Sequence, residues 1–184
     1  PETGELIKRI DTGAAGCNGL STPVAVDVNY DDTVDYVYAG DLLGNLWKFD
    51  LTSEDPADWD VAYSEGGDKT PLFKTYSQPI TTRPDVMYHC EKDGYLVLFG
   101  TGKYLEDADL SDTDGQGVYG IWDYGDDADA SEYVGAISGS TFHRATGLPD
   151  TVDLLAQTAV NEQTAYNQVL RTLSSNQPDW TTST

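Results

Sequence analysis

Apolar and polar positions alternate with a period of two along most of the first 125 residues, broken by short clusters of Gly, Asp, Asn and Pro. The alternation predicts strands. Residues 5–10 read as one, ended by Asp11-Thr12-Gly13. Residues 22–28 lead into an acidic stretch and residues 36–41 leave it. Leu42-Leu43-Gly44-Asn45 then turns the chain into residues 45–51, where Leu46, Trp47 and Phe49 mark a buried or half-buried strand. An acidic, Gly-containing excursion over 52–70 precedes a further strand at 71–76.

The arrangement then starts again. Residues 80–88 match 22–28 in place, 94–100 match 36–40, and 118–124 match 45–51, with Ile121-Trp122-Asp123 echoing Leu46-Trp47-Lys48-Phe49-Asp50. Trp47 and Trp122 take equivalent places in this reading, and packing between units explains both better than ligand stacking. The last strand of the second unit comes late, at 168–173, after an insertion over 125–167 in which 151–163 is read as a helix. The expected fold class is all-β. Residues 1–12 give the last strand of a preceding blade, 13–78 one blade, 79–175 a second, and 176–184 a tail. Two four-stranded units after one orphan strand are what a slice of β-propeller looks like, and a β-sandwich built from the same strands is the alternative.

The acidic stretch carries the chemistry. Oxygen-bearing side chains stand at Asp27, Asn29, Asp31 and Asp35, with Thr33 between the last two. A tight loop wraps a hard cation with side chains at positions 1, 3, 5 and 9 and a backbone carbonyl at position 7, here that of Thr33. Carboxylates this close repel one another, and a bound Ca²⁺ removes the repulsion. Mg²⁺ suits the loop less, because it demands a stricter octahedron and keeps its waters. Position 6 is Asp32 where EF-hands have Gly, and position 12 is Tyr38 where they have a bidentate Glu, so the last ligands come from elsewhere or binding is weak.

Composition narrows the function classes. Net charge is −22, from 32 acidic against 10 basic residues, which repels nucleic acid and anionic lipid. No apolar run is long enough to span a bilayer, and the opening Pro1-Glu2-Thr3-Gly4-Glu5 suggests a processed or excised piece of something larger. Cys17 and Cys90 lie beside polar turn residues, which favours one disulfide over two buried thiols and with it an oxidising compartment. Such a bridge is worth roughly 4 kcal/mol in the chain-entropy picture. The remaining candidates are weaker. Asp107, Asp109, Asp112 and Asp114 have irregular spacing and read as a charged turn. Asp126, Asp127 and Asp129 read as solvated loop, and His89 and His143 lie in no metal motif. No G-x-S-x-G surrounds Ser21, Ser64 or Ser77, and Gly100-Thr101-Gly102-Lys103 lacks the full phosphate-loop pattern.

The run Asp35-Tyr-Val-Tyr-Ala-Gly-Asp-Leu-Leu-Gly-Asn-Leu-Trp-Lys-Phe-Asp-Leu51 closely resembles the C-terminal propeller of the PilY/PilC family of type IV pilus tip-associated biogenesis and adhesion proteins. Pro1-Glu-Thr-Gly-Glu5, Pro79-Ile-Thr-Thr-Arg-Pro84, Leu98-Phe-Gly-Thr-Gly-Lys-Tyr-Leu105 and Val118-Tyr-Gly-Ile-Trp-Asp123 fit the same pattern in the same order. The resemblance implies a modified seven-bladed propeller of the quinoprotein-dehydrogenase-like type, of which this chain supplies about two blades and a strand. It also implies a Ca²⁺ loop at Asp27, Asn29, Asp31, Thr33 and Asp35 whose occupancy affects pilus extension and retraction. The expected protein is extracellular, at a pilus tip or outer-membrane surface, is not an enzyme, and supports pilus assembly, twitching motility and surface adhesion. Expected partners are minor pilins, the remaining blades of the parent protein, and a host or abiotic surface. The alternative is a fragment of a quinoprotein dehydrogenase that binds pyrroloquinoline quinone with Ca²⁺. The chain shows neither a vicinal cysteine pair nor a convincing general base for that role.

Overall fold

The computed structural model describes residues 4–75, 78–89, 94–124, 159–163 and 169–173. The first sheet contains β1 (Val24–Val26), β2 (Tyr36–Gly40), β3 (Asn45–Asp50), β4 (Asp60–Val61) and β7 (Phe73–Lys74). The path runs β1-β2-β3-β4, all antiparallel, and β7 shares the outer edge of β3 with β4. β4 takes the end of β3 at Phe49 and Asp50, while β7 takes the other end at Asn45 and Leu46. The excursion between them forms a separate hairpin, β5 (Tyr63–Glu65) with β6 (Asp68–Thr70).

The second, three-stranded sheet repeats the first three strands of the first. β8 (Asp85–Tyr88), β9 (Tyr95–Gly100) and β10 (Val118–Asp123) pair antiparallel in the order β10-β9-β8. This is the order of β1-β2-β3 once more, so the internal repeat expected at 80–88, 94–100 and 118–124 is real. A further two-stranded sheet is the hairpin of β11 (Ala159–Gln163) and β12 (Val169–Leu173). The architecture is all-β, and among the described residues no helix is long and apolar enough to cross a membrane.

The alternation of β2 and β3 sorts their side chains onto two faces. Tyr38 and Leu46 join Val24, Phe73, Ile80, Val97, Phe99 and Ile121 in the core between the two sheets. The rings of Phe99 and Tyr119 stack at 5.3 Å, and Phe73 leans on both at 6.3 and 5.6 Å. Each such side chain contributes about 1.5–3 kcal/mol on full burial. Ala39, Trp47, Phe49 and Val61 form a second core on the opposite face of the first sheet, covered by Ile10 and Ala14. Gly40 permits the close packing of the first: a Cβ there would lie 2.1 Å from Ile80 Cγ2.

Several expectations are corrected. Residues 5–10 join no ladder among the described residues, and Ile10 packs beneath the first sheet instead. The expected helix over 151–163 is a strand where it is described, at Ala159–Gln163, and 151–158 lie outside the described residues. The paired partner of β12 is β11 and not β10, so it forms a hairpin with its sequence neighbour. Loop closure over a few residues is entropically cheaper than a return across the long insertion. Trp47 and Trp122 are not equivalent. Trp47 lies on the face of its sheet turned away from the second sheet. Trp122 alternates with Ile121, which faces the first sheet, so its ring lies on the far side of the second sheet with His89 and Tyr124. Trp47 pairs with Ala39, one step from Gly40, whereas Trp122 pairs with Leu96, four steps from Gly100, and an odd difference exchanges the faces. Cys17 is exposed, and the proposed partner Cys90 lies outside the described residues, as do Ser77, Asp126, Asp127, Asp129 and His143.

Candidate metal centre

The loop over residues 27–35 closes where Val26 pairs with Tyr36, so its entry and exit are fixed by the β1–β2 ladder. Asp35 ties the two ends together. Its N–H donates to the Val26 carbonyl at 2.9 Å, and its Oδ2 accepts from the Val28 N–H at 2.7 Å. Asp35 is 8% exposed, whereas Asn29, Asp31, Asp32 and Thr33 are exposed.

Within the loop the side chains gather backbone N–H groups. Asp27 Oδ1 accepts from Tyr30 at 2.7 Å and Asp31 at 3.3 Å, and its Oδ2 accepts from Asp32 at 2.9 Å. Asn29 Oδ1 accepts from Asp31 N–H at 2.9 Å, and Asp31 Oδ1 accepts from Thr33 N–H at 2.8 Å. Asn29 Nδ2 donates to Asp31 Oδ2 at 3.1 Å. The hydrogen bonds from Thr33, and then that from Asn29, hold the Asp31 carboxyl below the usual carboxylate range. Tyr30 and Asp32 adopt left-handed φ values of 62° and 67°. Asp32 therefore makes, without glycine, the sharp bend that a glycine supplies at loop position 6 of an EF-hand.

The structure thus brings Asp27, Asn29, Asp31 and Thr33 into one tightly wound turn, with Asp35 buried at its base. Among the described residues no group of three or more Asp, Glu, His or Cys side chains is placed to hold a metal ion. The carboxylates of Asp27 and Asp35 are turned onto backbone N–H groups. The donor set still suits a hard cation: it is all oxygen and anionic, and each carboxylate has about four lone-pair positions, more than its N–H contacts occupy.

Two buried carboxylates outside the loop, Asp41 at the far end of β2 and Asp123 in the second sheet, hold the surrounding fold. Asp41 is completely buried at the end of β2. Its Oδ2 accepts from Asn18 Nδ2, Asn45 Nδ2 and Trp47 Nε1, each at 2.7 Å, and its Oδ1 accepts from the N–H groups of Leu43 and Asn45 at 2.9 Å. This explains the spacing Asp41-x-x-Gly44-Asn45-x-Trp47. Gly44 turns at φ 82°, and a Cβ there would lie 2.1 Å from Thr75 Oγ1.

Asp123, at the end of β10, is the other. Its Oδ2 lies 2.8 Å from Lys48 Nζ and accepts from Tyr38 Oη at 2.7 Å, while Oδ1 accepts from Tyr63 Oη at 2.6 Å. Burial alone would raise this carboxyl, but the charge and hydrogen bond of Lys48, then the two phenols, hold it below the ordinary range. Burial, and next the Asp123 charge, push the Tyr38 phenol up. Lys48 also rests 3.9 Å above the Tyr36 ring. A signal for this site existed: Lys48 is a cation at a core position of an apolar strand, which requires a buried partner.

The weaker candidates find structural roles. Asp109 is buried and receives Lys103 at 2.5 Å, so that acidic run holds a lysine. Lys103 is thereby occupied where a phosphate-loop lysine would be free. Ser21 Oγ accepts from Gly40 N–H at 3.0 Å beside the β2 edge. His89 is buried against the Trp122 ring at 5.4 Å.

Residues 1–160 match the family model of the PilY1 beta-propeller domain. The chain is 36% identical to the type IV pilus biogenesis factor PilY1 of Pseudomonas aeruginosa (strain PAO1), over 97% of this chain and 16% of that protein. It is 39% identical to a type IV pilus biogenesis factor PilY1 homolog of Xylella fastidiosa, over 67% of this chain and 9% of that protein. The crystal structure of the Pseudomonas aeruginosa PilY1 C-terminal domain matches with a TM-score of 0.65 and 33% identity, covering 95% of this chain and 38% of that one.

Proposed function

This chain belongs to the PilY1 β-propeller family, and from that premise we propose that it is a Ca²⁺-binding propeller segment of a type IV pilus biogenesis protein. The chain spans 16% of the length of the Pseudomonas aeruginosa relative, so the activity proposed is that of a larger protein. That protein supports pilus assembly, adjusts extension and retraction, and presents an adhesive surface at the pilus tip, outside the cell. Minor pilins and the remaining blades are its partners. The relatives carry the names of biogenesis factors and not of enzymes, which favours a binding role over catalysis.

The observation that supports the metal half is the winding of residues 27–35. Asp27 collects the N–H groups of Tyr30, Asp31 and Asp32, and Asp32 bends at a φ of 67°. The Asp27 and Asp31 carboxylates belong to one tightly wound turn, and a divalent cation would offset their repulsion. Rotation of the exposed Asn29 and Asp31 side chains would complete the shell around Asp27, the Thr33 carbonyl and Asp35. Because β1 and β2 carry the loop on the edge of the first sheet, the ion fixes a surface and supplies no chemistry.

Titrating the chain with Ca²⁺ in a calorimeter tests the metal, with Asp31→Ala expected to weaken binding by at least about tenfold. No heat from the wild-type chain would end the Ca²⁺ assignment. Deleting the parent gene and counting surface pili tests the rest. Unchanged piliation would end the pilus assignment.

A further inference from the structure

The stretch ahead of β1 is latched to the β2–β3 turn through one side-chain amide. Asn18 Nδ2 donates to Asp41 Oδ2 at 2.7 Å, and Asn18 Oδ1 accepts from Leu42 N–H at 3.1 Å. The backbone around this amide is irregular. Gly13 and Gly16 take left-handed φ values of 74° and 89°, and Ala15, Gly16, Cys17 and Gly19 are exposed while Asn18 is half-buried. Its backbone hydrogen bonds are local or long, from Asn18 N–H to the Gly16 carbonyl at 3.0 Å and from Leu42 N–H to the Gly19 carbonyl at 3.3 Å. Firmer ties lie on either side, where Lys69 Nζ donates to the Asp11 carbonyl and Leu20 bridges Asp41.

Asn18 is the one asparagine of the sequence that precedes a glycine. The fold does not require that glycine. Gly19 has no left-handed φ, and among the described residues a Cβ there would meet Leu42 Cδ1 alone, at an ordinary 3.8 Å. What the glycine changes is the reactivity of Asn18, because without a Cβ its nitrogen swings easily onto the neighbouring side-chain carbonyl carbon. The reaction that follows needs only water. The Gly19 nitrogen gives its proton to solvent and bonds to Asn18 Cγ, the Cγ–Nδ2 bond breaks, and ammonia leaves with a proton from water. A water molecule then opens the cyclic imide at either carbonyl, leaving aspartate or isoaspartate. Nothing is oxidised or reduced.

In the closed latch both ends of the amide are engaged, so the attack waits for a local opening of residues 13–19. The product cannot close again. Asp41 is completely buried, and the side chains of Asn18, Asn45 and Trp47 and the N–H groups of Leu43 and Asn45 from which it accepts are all neutral. A carboxylate at position 18 puts an acceptor where Asp41 meets a donor. Two carboxylates about 3 Å apart do not both stay ionised at such a site. We infer that Asn18 is a site of spontaneous deamidation, and that its conversion permanently releases residues 13–19 from the β2–β3 turn. Ala14, which helps to cover the Trp47 core, lies on the released stretch.

The test ages the full-length parent protein at mildly alkaline pH and follows residue 18 by peptide mass spectrometry. The expected result is an amide-to-acid mass gain at Asn18, divided between aspartate and isoaspartate, and slower than in a free peptide of the same sequence. Gly19→Ala slows the gain about tenfold and leaves the Tm of fresh protein unchanged. The aged form, separated by its extra negative charge, unfolds about 5 °C below fresh protein and is cut by protease within residues 13–19. Asn18→Asp reproduces the aged form, and if that variant does not fold, the aged wild type carries the comparison by itself. Folded protein that stays unconverted long after the free peptide has turned over would overturn the inference. So would aged protein with the Tm and protease resistance of fresh protein, or conversion at the same rate in Gly19→Ala.

Discussion

Lys48 of β3 and Asp123 of β10 meet at 2.8 Å across the core, with side chains 7% and 0% exposed. The pair joins the two sheets, and the phenols of Tyr38 and Tyr63 satisfy the same carboxylate. A buried ion pair is weak evidence for net stability, yet removing one partner is severe, because the other charge stays buried. Lys48→Met is therefore expected to lower unfolding free energy by about 3–5 kcal/mol in urea denaturation. Lys48→Met/Asp123→Leu should recover much of that loss. Equal destabilisation by single and double variants would show that shape, and not charge, matters here.

The same pair sets an acid limit. The Asp123 carboxyl is held below its ordinary value in the folded chain, so its contribution is fully present above about pH 4, the unfolded value. It is lost as pH falls through the lower folded value. Lys48→Met removes the cation and leaves burial to raise the carboxyl, so protonation then relieves the variant. The stability gap between wild type and variant should narrow on acidification, as measured by denaturation at successive pH values. A gap that widens below pH 4 would contradict the ionised pair.

Asp41 is the acceptor for Asn18, Asn45 and Trp47 side chains in a site closed to water. Asp41→Ala strands those donors, each at about 1–3 kcal/mol, and should cost at least about 3 kcal/mol in all. The indole hydrogen bond gives a second readout, since Trp47 emission should shift in the folded variant. A loss under 1 kcal/mol would mean that water replaces the carboxylate.

Gly40→Ala forces a methyl to within 2.1 Å of Ile80 Cγ2. Neither the β2 backbone nor a fully buried isoleucine has room to yield, so a loss of about 1–3 kcal/mol is expected from thermal unfolding. Ile80→Ala in the same background should restore part of it, because it removes the opposing branch.

Metal removal offers a direct test of the loop. Hundredfold Ca²⁺ over Kd should add about 2.7 kcal/mol and raise Tm by roughly 5–10 °C over the chelated protein. Asp32→Gly keeps the bend at a residue now free of left-handed strain, and should preserve Ca²⁺ affinity within about threefold. A Tm that ignores Ca²⁺ would argue against the proposed ion.

Period-two alternation and turn residues determined the all-β class and the repeat, because a strand with one face buried and the other solvated must alternate. The β1–β2–β3 order and its recurrence as β8–β9–β10 were legible for that reason, and so was the acidic loop, whose candidate ligands are neighbours in sequence. What tertiary structure alone decided concerns residues far apart in the chain. Lys48 reaches Asp123, Asn18 reaches Asp41, and an odd difference in register puts Trp47 and Trp122 on non-equivalent faces of their sheets. Local patterns specify which backbone forms a ladder. Which face turns inward, and which distant charge a buried lysine meets, depends on how two sheets pack, and that is fixed only when the whole core closes.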